Sequence, residues 1–377
     1  MISQHLNPFR KSNRYAYSLF DEKNSHEITI EDELSMLQPI PKYVWEDDYN
    51  EQLKLELKYY NIDIQILSDS EWLHLLKTGQ YDSNKSLLLS IFTTRSLTVK
   101  QVFDFITMQC QMTCLFGNLK NEVKEKNYEC INKDVNRTFK SSNFFQQGEV
   151  LQRLQDILVA YSNLDSEVSY GQGMNFIVAA LIYLDFNNDE AIFEILRTII
   201  MDKDWRQVYI NGTPGLFMVM AKFNFKFKKR MPQLYQHFLR FGIEDLSMCV
   251  SAFYLTLCMQ HAPIQFSLVI LAMFFIEGYD IITKMILSML KYFENYLLKL
   301  NDFQKIIEFI KRGLINNFYR EMQKCRKQQR LVQVLLDIGL IKRKGKQQKQ
   351  KTKKGFMNQL IDKPLAIGND VYSYFFR

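Results

Sequence analysis

One arginine and one glutamine in this chain could assist phosphoryl transfer if each is held beside a nucleotide. Arg137 carries a planar guanidinium whose donors match the negative charge that spreads over the oxygens of a transferred phosphoryl group. Gln172 carries a donor and an acceptor, so its amide can hold an attacking water and a phosphate oxygen together. Read alone, each is an ordinary surface or turn residue in a chain with 48 lysines and arginines.

The residues beside Gln172 favour a tight, uncovered turn. Gly171 and Gly173 flank the glutamine, and glycine leaves the backbone free to turn sharply and the amide open to a partner. A plainer interpretation is a glycine-containing turn that leads into a buried helix starting near Asn175. The local pattern leaves both interpretations open.

The sequence contains no phosphate-binding loop of its own. It has no G-x-x-x-x-G-K-[ST] segment and no G-x-G-x-x-G segment. A nucleotide would therefore have to arrive with another molecule. An arginine and a glutamine without a nucleotide site fit a protein that completes the active site of its partner.

Two short motifs resemble those of the TBC-domain family, which accelerates GTP hydrolysis on Rab-type small GTPases. The first motif is I-x-x-D-x-x-R-T and the second is Y-x-Q-G. The matching residues are Ile131, Asp134, Arg137, Thr138, Tyr170, Gln172 and Gly173, with Met174 and Asn175 following. Further segments fall in the family's order, so the likeness covers roughly residues 70 to 310.

The resemblance implies an all-α, V-shaped pair of helical lobes and a role for each motif. Arg137 would be the arginine finger and Gln172 the glutamine finger, inserted beside the GTP of a Rab. GTP and Mg²⁺ would come with the GTPase, and the chain would need no cofactor. Residues that would support the fingers or bind the partner are Asp134, Thr138, Tyr170, Gly173 and Asn175.

Several positions depart from the family pattern and keep a second hypothesis open. Lys140 stands where many members have proline, and Ser169 where glycine often precedes the tyrosine. Residues 269–272 (V-I-L-A) replace an R-I-W-D segment, and Phe253-Tyr254 replaces W-F. The alternative to a GTPase-activating protein is a TBC-fold scaffold that binds partners with weak or no catalysis.

Composition and charge limit which further partners, metal sites and cellular locations are expected. The chain is 47% hydrophobic with a net charge of +7, which is typical of a folded domain with a local basic segment. That segment, Lys342 to Lys354, is either a solvated tail or a contact with an anionic membrane surface, and we expect no nucleic-acid binding.

Six cysteines without a CxxC pair indicate a reducing compartment and no metal site. We expect a cytoplasmic protein, or one that is peripheral on endomembranes, because no apolar run approaches the ~20 residues of a membrane span.

The elements that would position the motifs are helices in three segments. Residues 1–66 form an N-terminal extension, 67–313 the TBC domain, and 314–377 a helix, a basic run and an aromatic tail. Alternation over Gln52 to Leu67 predicts a short hairpin, with a helix over Tyr49 to Tyr59 as the alternative. Ser68 to Glu71 has the spacing of a capping box.

Helical periodicity or an apolar run predicts the remaining helices. They are Leu97–Leu115, Val150–Tyr161, Asn175–Leu184, Asp189–Ile200, a pair within Leu216–Phe241 parted at Met231-Pro232, Leu246–Met259, Gln265–Ile276, Ile281–Leu300, Asp302–Ile310 and Asn316–Ile338.

Overall fold

The computed structural model is all-helical, which confirms the predicted fold class. It describes residues 50–60, 62, 98–122, 125–184, 188–203, 205–328 and 330–340, and no β-strand occurs within these ranges. The first eight helices are α1 (Asn50–Tyr59), α2 (Val99–Thr107), α3 (Phe116–Leu119), α4 (Glu125–Val135), α5 (Gly148–Leu164), α6 (Met174–Tyr183), α7 (Asp189–Arg197) and α8 (Arg206–Tyr209).

The second half of the chain continues the array. Its helices are α9 (Pro214–Arg230), α10 (Pro232–Leu239), α11 (Ser247–Leu255), α12 (Ile264–Glu277), α13 (Asp280–Tyr292), α14 (Glu294–Leu297), α15 (Phe303–Glu308), α16 (Leu314–Lys327) and α17 (Leu331–Asp337). Single π-helical turns extend α7 over Thr198–Asp202 and join α15 to α16 over Phe309–Gly313.

Helix α5 is central to the part of the fold that carries both motifs. Its apolar residues recur at three- and four-residue steps, and Leu154, Ile157 and Leu158 are buried. It packs against α4, which carries the first motif, and against α6, which follows the second. The sequence prediction for this helix is confirmed.

Helices α6 and α12 are apolar on all sides and are buried accordingly. In α12, residues 269–272 are fully buried, so the segment that departs from the family pattern lies in an apolar interior. A buried charge there would need a partner, whereas these side chains need only close packing. Trp205 packs beside this helix, with its ring 5.6 Å from that of Phe274 and 6.4 Å from that of Tyr254.

The break between α9 and α10 falls at the proline, as predicted. Helix α9 ends at Arg230, and Pro232 is the first residue of α10, where its missing N–H costs no helical hydrogen bond. Pro214 begins α9 in the same way, after Thr213 with a φ of 47°. Proline therefore fixes the start of both helices.

The predicted hairpin is wrong where the structure describes it. Residues 50–59 form helix α1, and its Leu53 and Leu57, four residues apart, are buried on one side. Apolar residues at positions 53, 55 and 57 fit a strand as well as a helix, and burial against α17 selects the helix. The rest of the hairpin, after Ile62, lies outside the described residues.

Four predicted helices are shorter than expected or divided. The one predicted over Leu246–Met259 ends at Leu255, and the one over Ile281–Leu300 is the pair α13 and α14. The helix predicted over Leu97–Leu115 ends at Thr107, after which residues 108–115 contain no helix. The helix predicted over Asn316–Ile338 is two helices, α16, which ends at Lys327, and α17, which begins at Leu331. Gly339, with a φ of 69°, follows the second one and allows the chain to turn there.

Some predictions fall outside the described residues, namely the capping box at Ser68–Glu71 and the basic run Lys342–Lys354. Among the described helices, none is both long and apolar enough to cross a membrane.

Candidate functional site

The first motif lies at the C-terminal end of α4 and in the turn that follows. Ile131 and Val135 are buried and fix this end of the helix against the core. Asp134 is on the buried side of the same turn, whereas the Arg137 side chain is 56% exposed. The helix therefore holds the aspartate inward and presents the arginine to solvent.

The second motif connects α5 to α6. Gly173 immediately precedes α6 with a φ of 108°, a conformation that glycine adopts without a Cβ penalty. Ser169, where the family often has glycine, has a φ of 57°, so the chain adopts a left-handed conformation there without glycine. Gln172 lies between these two points with a partly exposed side chain.

A hydrogen-bond network joins the two motifs. The Tyr170 hydroxyl donates to Asp134 Oδ2 at 2.6 Å, across 36 residues of sequence. The Asn175 amide nitrogen donates to Thr138 Oγ1 at 2.7 Å, across 37 residues. Within each motif the network closes on the backbone: Thr138 Oγ1 donates to the Asp134 carbonyl at 2.6 Å, and the Gly173 N–H donates to Asn175 Oδ1 at 3.1 Å.

Because this network is buried, its polar atoms depend on one another for hydrogen bonds. Thr138 and Asn175 are each 1% exposed, so each of their polar atoms needs a protein partner. A buried donor or acceptor that loses its partner costs about 1–3 kcal/mol. The relative position of the two motifs is therefore fixed by polar contacts with little tolerance for change.

Asp134 connects the network to the arginine. Its Oδ1 lies 2.7 Å from Arg137 Nη2, and its Oδ2 accepts the Tyr170 hydroxyl. Burial and the nearby Asp134 carboxylate hold the pKa of Tyr170 well above its usual value, so the hydroxyl stays protonated and remains a donor. Arg137 is thus held by Asp134 through Nη2, while its side chain stays more than half exposed.

The structure joins six of the predicted site residues by hydrogen bonds or an ion pair: Asp134, Arg137, Thr138, Tyr170, Gly173 and Asn175. Gln172 lies next to Gly173 in the same loop. The structure also adds three that the sequence analysis missed: Asp165, Arg206 and Tyr209, which contact the segment before Gln172 or the glycines beside it. Asp165 accepts the backbone N–H groups of Glu167 and Val168, and an aspartate two or three residues ahead of such amides is a local turn signal. Arg206 and Tyr209 approach from α8, and local sequence contains no signal for that contact.

Among the described residues, little supports a metal site or a reactive cysteine. These contain no cluster of three histidine, cysteine or acidic side chains placed to hold a metal ion. Burial raises the pKa of Cys110 to about 11 and that of Cys249 to about 12, so both thiols are protonated at neutral pH.

Fold and motifs together define an all-helical domain in which two motifs distant in sequence share one polar network. The sequence profile of the Rab-GTPase-TBC domain matches residues 67–298. The chain therefore belongs to the Rab-GTPase-TBC domain family.

Similar proteins include GTPase-activating proteins from several organisms. The GTPase-activating protein GYP5 of Eremothecium gossypii is 30% identical over 200 residues, which are 53% of this chain and 23% of that protein. TBC1 domain family member 4 of Mus musculus is 31% identical over 193 residues, which are 51% of this chain and 14% of that protein. The Rab GTPase-activating protein eat-17 of Caenorhabditis elegans is 32% identical over 183 residues, 48% of this chain and 20% of that protein. The chain thus matches less than a quarter of the length of these relatives.

Two solved structures share the fold. The Chlamydomonas flagellar RabGAP TBC domain superposes with a TM-score of 0.54 at 20% identity, covering 71% of this chain and 97% of that one. The Ypt/Rab-GAP domain of Gyp1p gives a TM-score of 0.50 at 14% identity, covering 77% and 99% of the two chains. At these identities the likeness establishes the fold.

Proposed function

We propose that this protein accelerates GTP hydrolysis by a Rab-type small GTPase, with Arg137 as the arginine finger and Gln172 as the glutamine finger. Membership of the family and the activities that its relatives are named for support the class of activity. The observation that carries the assignment of residues is the network between Tyr170 and Asp134 and between Asn175 and Thr138. It joins the two segments, so one partner can receive both side chains.

Arg137 would stabilise the transition state of hydrolysis by its charge and shape. Its contact with Asp134 uses part of a set of five donors, and the side chain is more than half exposed. The remaining donors would meet the oxygens of the transferred phosphoryl group. An arginine supplied in this way is worth roughly 10³ to 10⁵ in rate, or about 4–7 kcal/mol of barrier.

Gln172 would act by orientation. Its amide accepts a hydrogen from the attacking water and donates to a phosphate oxygen, so the water is held in line with the bond that breaks. Gly173 and Asn175 fix the end of the loop on which it lies. GTP and Mg²⁺ arrive with the GTPase in this proposal, which agrees with the lack of a phosphate-binding loop in the sequence.

Single-turnover GTP hydrolysis on a panel of Rab proteins tests the proposal. We expect wild type to accelerate hydrolysis on at least one Rab, and Arg137→Ala to lower that rate by roughly 10³-fold or more. Arg137→Lys should also be impaired, because an ammonium lacks the planar fork. Gln172→Ala should lower the rate by about 10²-fold, since the water is no longer oriented.

Matched controls are available on α10 and at the residue that follows it, outside both motifs. Arg240 and Gln236 are exposed, and Arg240→Ala and Gln236→Ala should keep the wild-type rate. Equal rates for wild type, Arg137→Ala and Gln172→Ala on every Rab would overturn the proposal. In that case a scaffold role is favoured, and retained binding of a Rab in a pull-down would identify it.

Contact of residues 342–354 with an anionic membrane stays a prediction. Eight of these residues are lysine or arginine, and each contributes about 1 kcal/mol close to an anionic surface. Sedimentation with vesicles that contain or lack phosphatidylserine measures it. Sedimentation that does not depend on the anionic lipid would exclude this contact.

A further inference from the structure

We propose that the short helix α8, through Arg206 and Tyr209, positions Gln172, and that Asp165 is the group through which Arg206 acts. The inference rests on the function proposed above and deepens it, because none of these residues belongs to either motif. They are positioning residues: each acts on the loop that carries the glutamine.

The first contact fixes the start of the loop. Arg206 Nε donates to Asp165 Oδ2 at 2.7 Å, and Nη2 donates to Oδ1 at 2.9 Å, which is a bidentate pair. The Asp165 side chain is 4% exposed and that of Arg206 is 29% exposed, so the carboxylate is largely removed from water while the guanidinium stays partly solvated. The hydrogen-bonded Arg206 also lowers the pKa of Asp165, which stays ionised at neutral pH.

Asp165 passes this constraint on to the backbone that leads to the glutamine. Its Oδ1 accepts the N–H groups of Glu167 at 3.3 Å and Val168 at 3.2 Å. Its carbonyl accepts the N–H of Ser169 at 2.6 Å. The Asp165 carboxylate therefore binds the backbone of residues 167–168 and, at the same time, Arg206 of α8.

The second contact fixes the loop beside the glutamine itself. A Cβ added at Gly171 would clash with Tyr209 Cδ1, so the tyrosine ring lies directly against the backbone there. The Tyr209 hydroxyl donates to the Leu255 carbonyl at 2.5 Å. A Cβ added at Gly173 would lie 2.6 Å from that same carbonyl oxygen.

These contacts leave the backbone of Gln172 little freedom. The residues on both sides of it pack against Tyr209 and Leu255, and the segment before it is bound to Arg206. The network with Asp134 and Thr138 positions the two motifs relative to each other, whereas α8 contacts the glutamine loop through Asp165 and Gly171. A catalytic group that works by orientation is sensitive to this, because a shift of about 1 Å can cost about 10²-fold in rate.

The variants Arg206→Lys and Tyr209→Phe test the proposal with small changes. Lysine keeps the charge beside Asp165 but lacks the fork, and phenylalanine keeps the ring against Gly171 but loses the hydroxyl. We expect each to lower the single-turnover rate at saturating protein by roughly 10- to 100-fold, with the half-saturating concentration unchanged. Arg153→Lys is the matched control, because Arg153 forms a similar pair with Asp189 (2.8 Å) between α5 and α7.

A double-mutant cycle separates positioning from general destabilisation. If Arg206 acts through Gln172, then Arg206→Lys lowers the rate in wild type but changes it by less than about twofold in a Gln172→Ala background. The same loss in both backgrounds, or no loss in wild type, would overturn the inference. If wild type is active and Gln172→Ala is not impaired, it is the proposed glutamine finger that fails.

Hydrogen exchange of the free protein gives a readout that needs no GTPase. Arg206→Lys should raise amide exchange in peptides covering 165–175, and Arg153→Lys should leave it unchanged. Should Arg206→Lys fail to fold, Tyr209→Phe is measured instead, with the same expectation. Unchanged exchange over 165–175 in a folded variant would contradict the proposal that Arg206 and Tyr209 hold this loop, whatever the activity.

Discussion

At the scale of residues, the proposed site depends on side chains other than the two proposed fingers. Arg137 and Gln172 would contact the nucleotide, but Asp134, Tyr170 and Asn175 determine where their segments lie. Each of these three side chains forms a hydrogen bond with a residue more than 30 positions away in the sequence. Removing one polar atom from this set should therefore affect both stability and rate.

Tyr170→Phe removes a single oxygen from the network. Asp134 loses a short hydrogen bond, and bonds to charged groups are worth about 1.5–3 kcal/mol. We expect urea unfolding to report a loss of stability of that order, together with a slower single-turnover rate. Tyr128→Phe, at an exposed tyrosine of α4, should change neither. A Tyr170→Phe protein as stable and active as wild type would contradict the role given to the network.

Gly173→Ala tests the conformation of the loop. Alanine at a φ of 108° is strained, and its Cβ would meet the Leu255 carbonyl, which is backbone and cannot easily move. We expect a loss of unfolding free energy of about 1–3 kcal/mol and a lower rate on any Rab that responds to wild type. Gly148→Ala is the control, because a Cβ there meets nothing within 4 Å and should be tolerated. Equal stability of the two variants would show that the loop can rearrange.

At the scale of elements, the helices outside the matched profile are part of the same packed structure. Helix α1 lies before residue 67 and α17 after residue 298, yet they pack on each other. Glu56, fully buried in α1, accepts the N–H of Val332 at 2.9 Å in the first turn of α17. A carboxylate near a helix N-terminus meets free amides and the positive end of the helix dipole. The predicted domain boundaries at 66 and 313 stay predictions.

Glu56→Ala measures this contact between the two flanking helices. It removes a buried acceptor from the Val332 amide, so we expect a loss of about 1–3 kcal/mol in unfolding free energy. The exposed Glu244→Ala should be within about 0.5 kcal/mol of wild type. The rate at a temperature where both are folded should be unchanged, because neither α1 nor α17 carries a motif residue. A neutral effect of Glu56→Ala on stability would indicate that α1 docks only weakly.

At the scale of the whole molecule, a partly buried histidine links stability to pH. His261 lies in the connection from α11 to α12, with its ring 5.2 Å from that of Phe253, and its Nδ1 has no hydrogen-bond partner. Burial, with smaller contributions from Arg312 and Lys311, lowers the pKa of His261 to about 4. The folded protein therefore keeps this ring neutral at a pH where the unfolded chain protonates it.

The sign of the effect follows from this difference in pKa. Above the usual histidine pKa neither state binds the proton, so stability is at its full value. As the pH falls below about 6.5 the unfolded state gains a proton that the folded state excludes, and stability decreases until the pH reaches about 4. Between pH 7 and pH 5 we expect a loss of about 2 kcal/mol from this group.

Urea unfolding of wild type and His261→Gln at several pH values checks the prediction. The non-titrating glutamine should remove about 2 kcal/mol of the difference in stability between pH 7 and pH 5. Carboxylates titrate in both proteins and cancel in the comparison. The same pH dependence in the two proteins would mean that His261 is protonated in the folded state.

Some of this protein could be predicted from local sequence. The helix α5 follows from apolar residues at three- and four-residue steps, and the break before Pro232 from the missing proline N–H. These signals depend on residues within about one or two helical turns. The same locality explains the error at residues 50–59, where the pattern fits a strand or a helix and only the packing of Leu53 and Leu57 against α17 selects one.

By itself, the sequence determined that Arg137 and Gln172 lie in two motifs of one family, because the motifs consist of neighbouring residues whose identities can be read directly. The tertiary structure decided which groups hold them. The contacts of Tyr170 with Asp134, and of Arg206 with Asp165, join residues 36 and 41 positions apart. Such pairs depend on how α4, α5, α6 and α8 pack, and that packing is set by burial over the whole core, which no short stretch of sequence records.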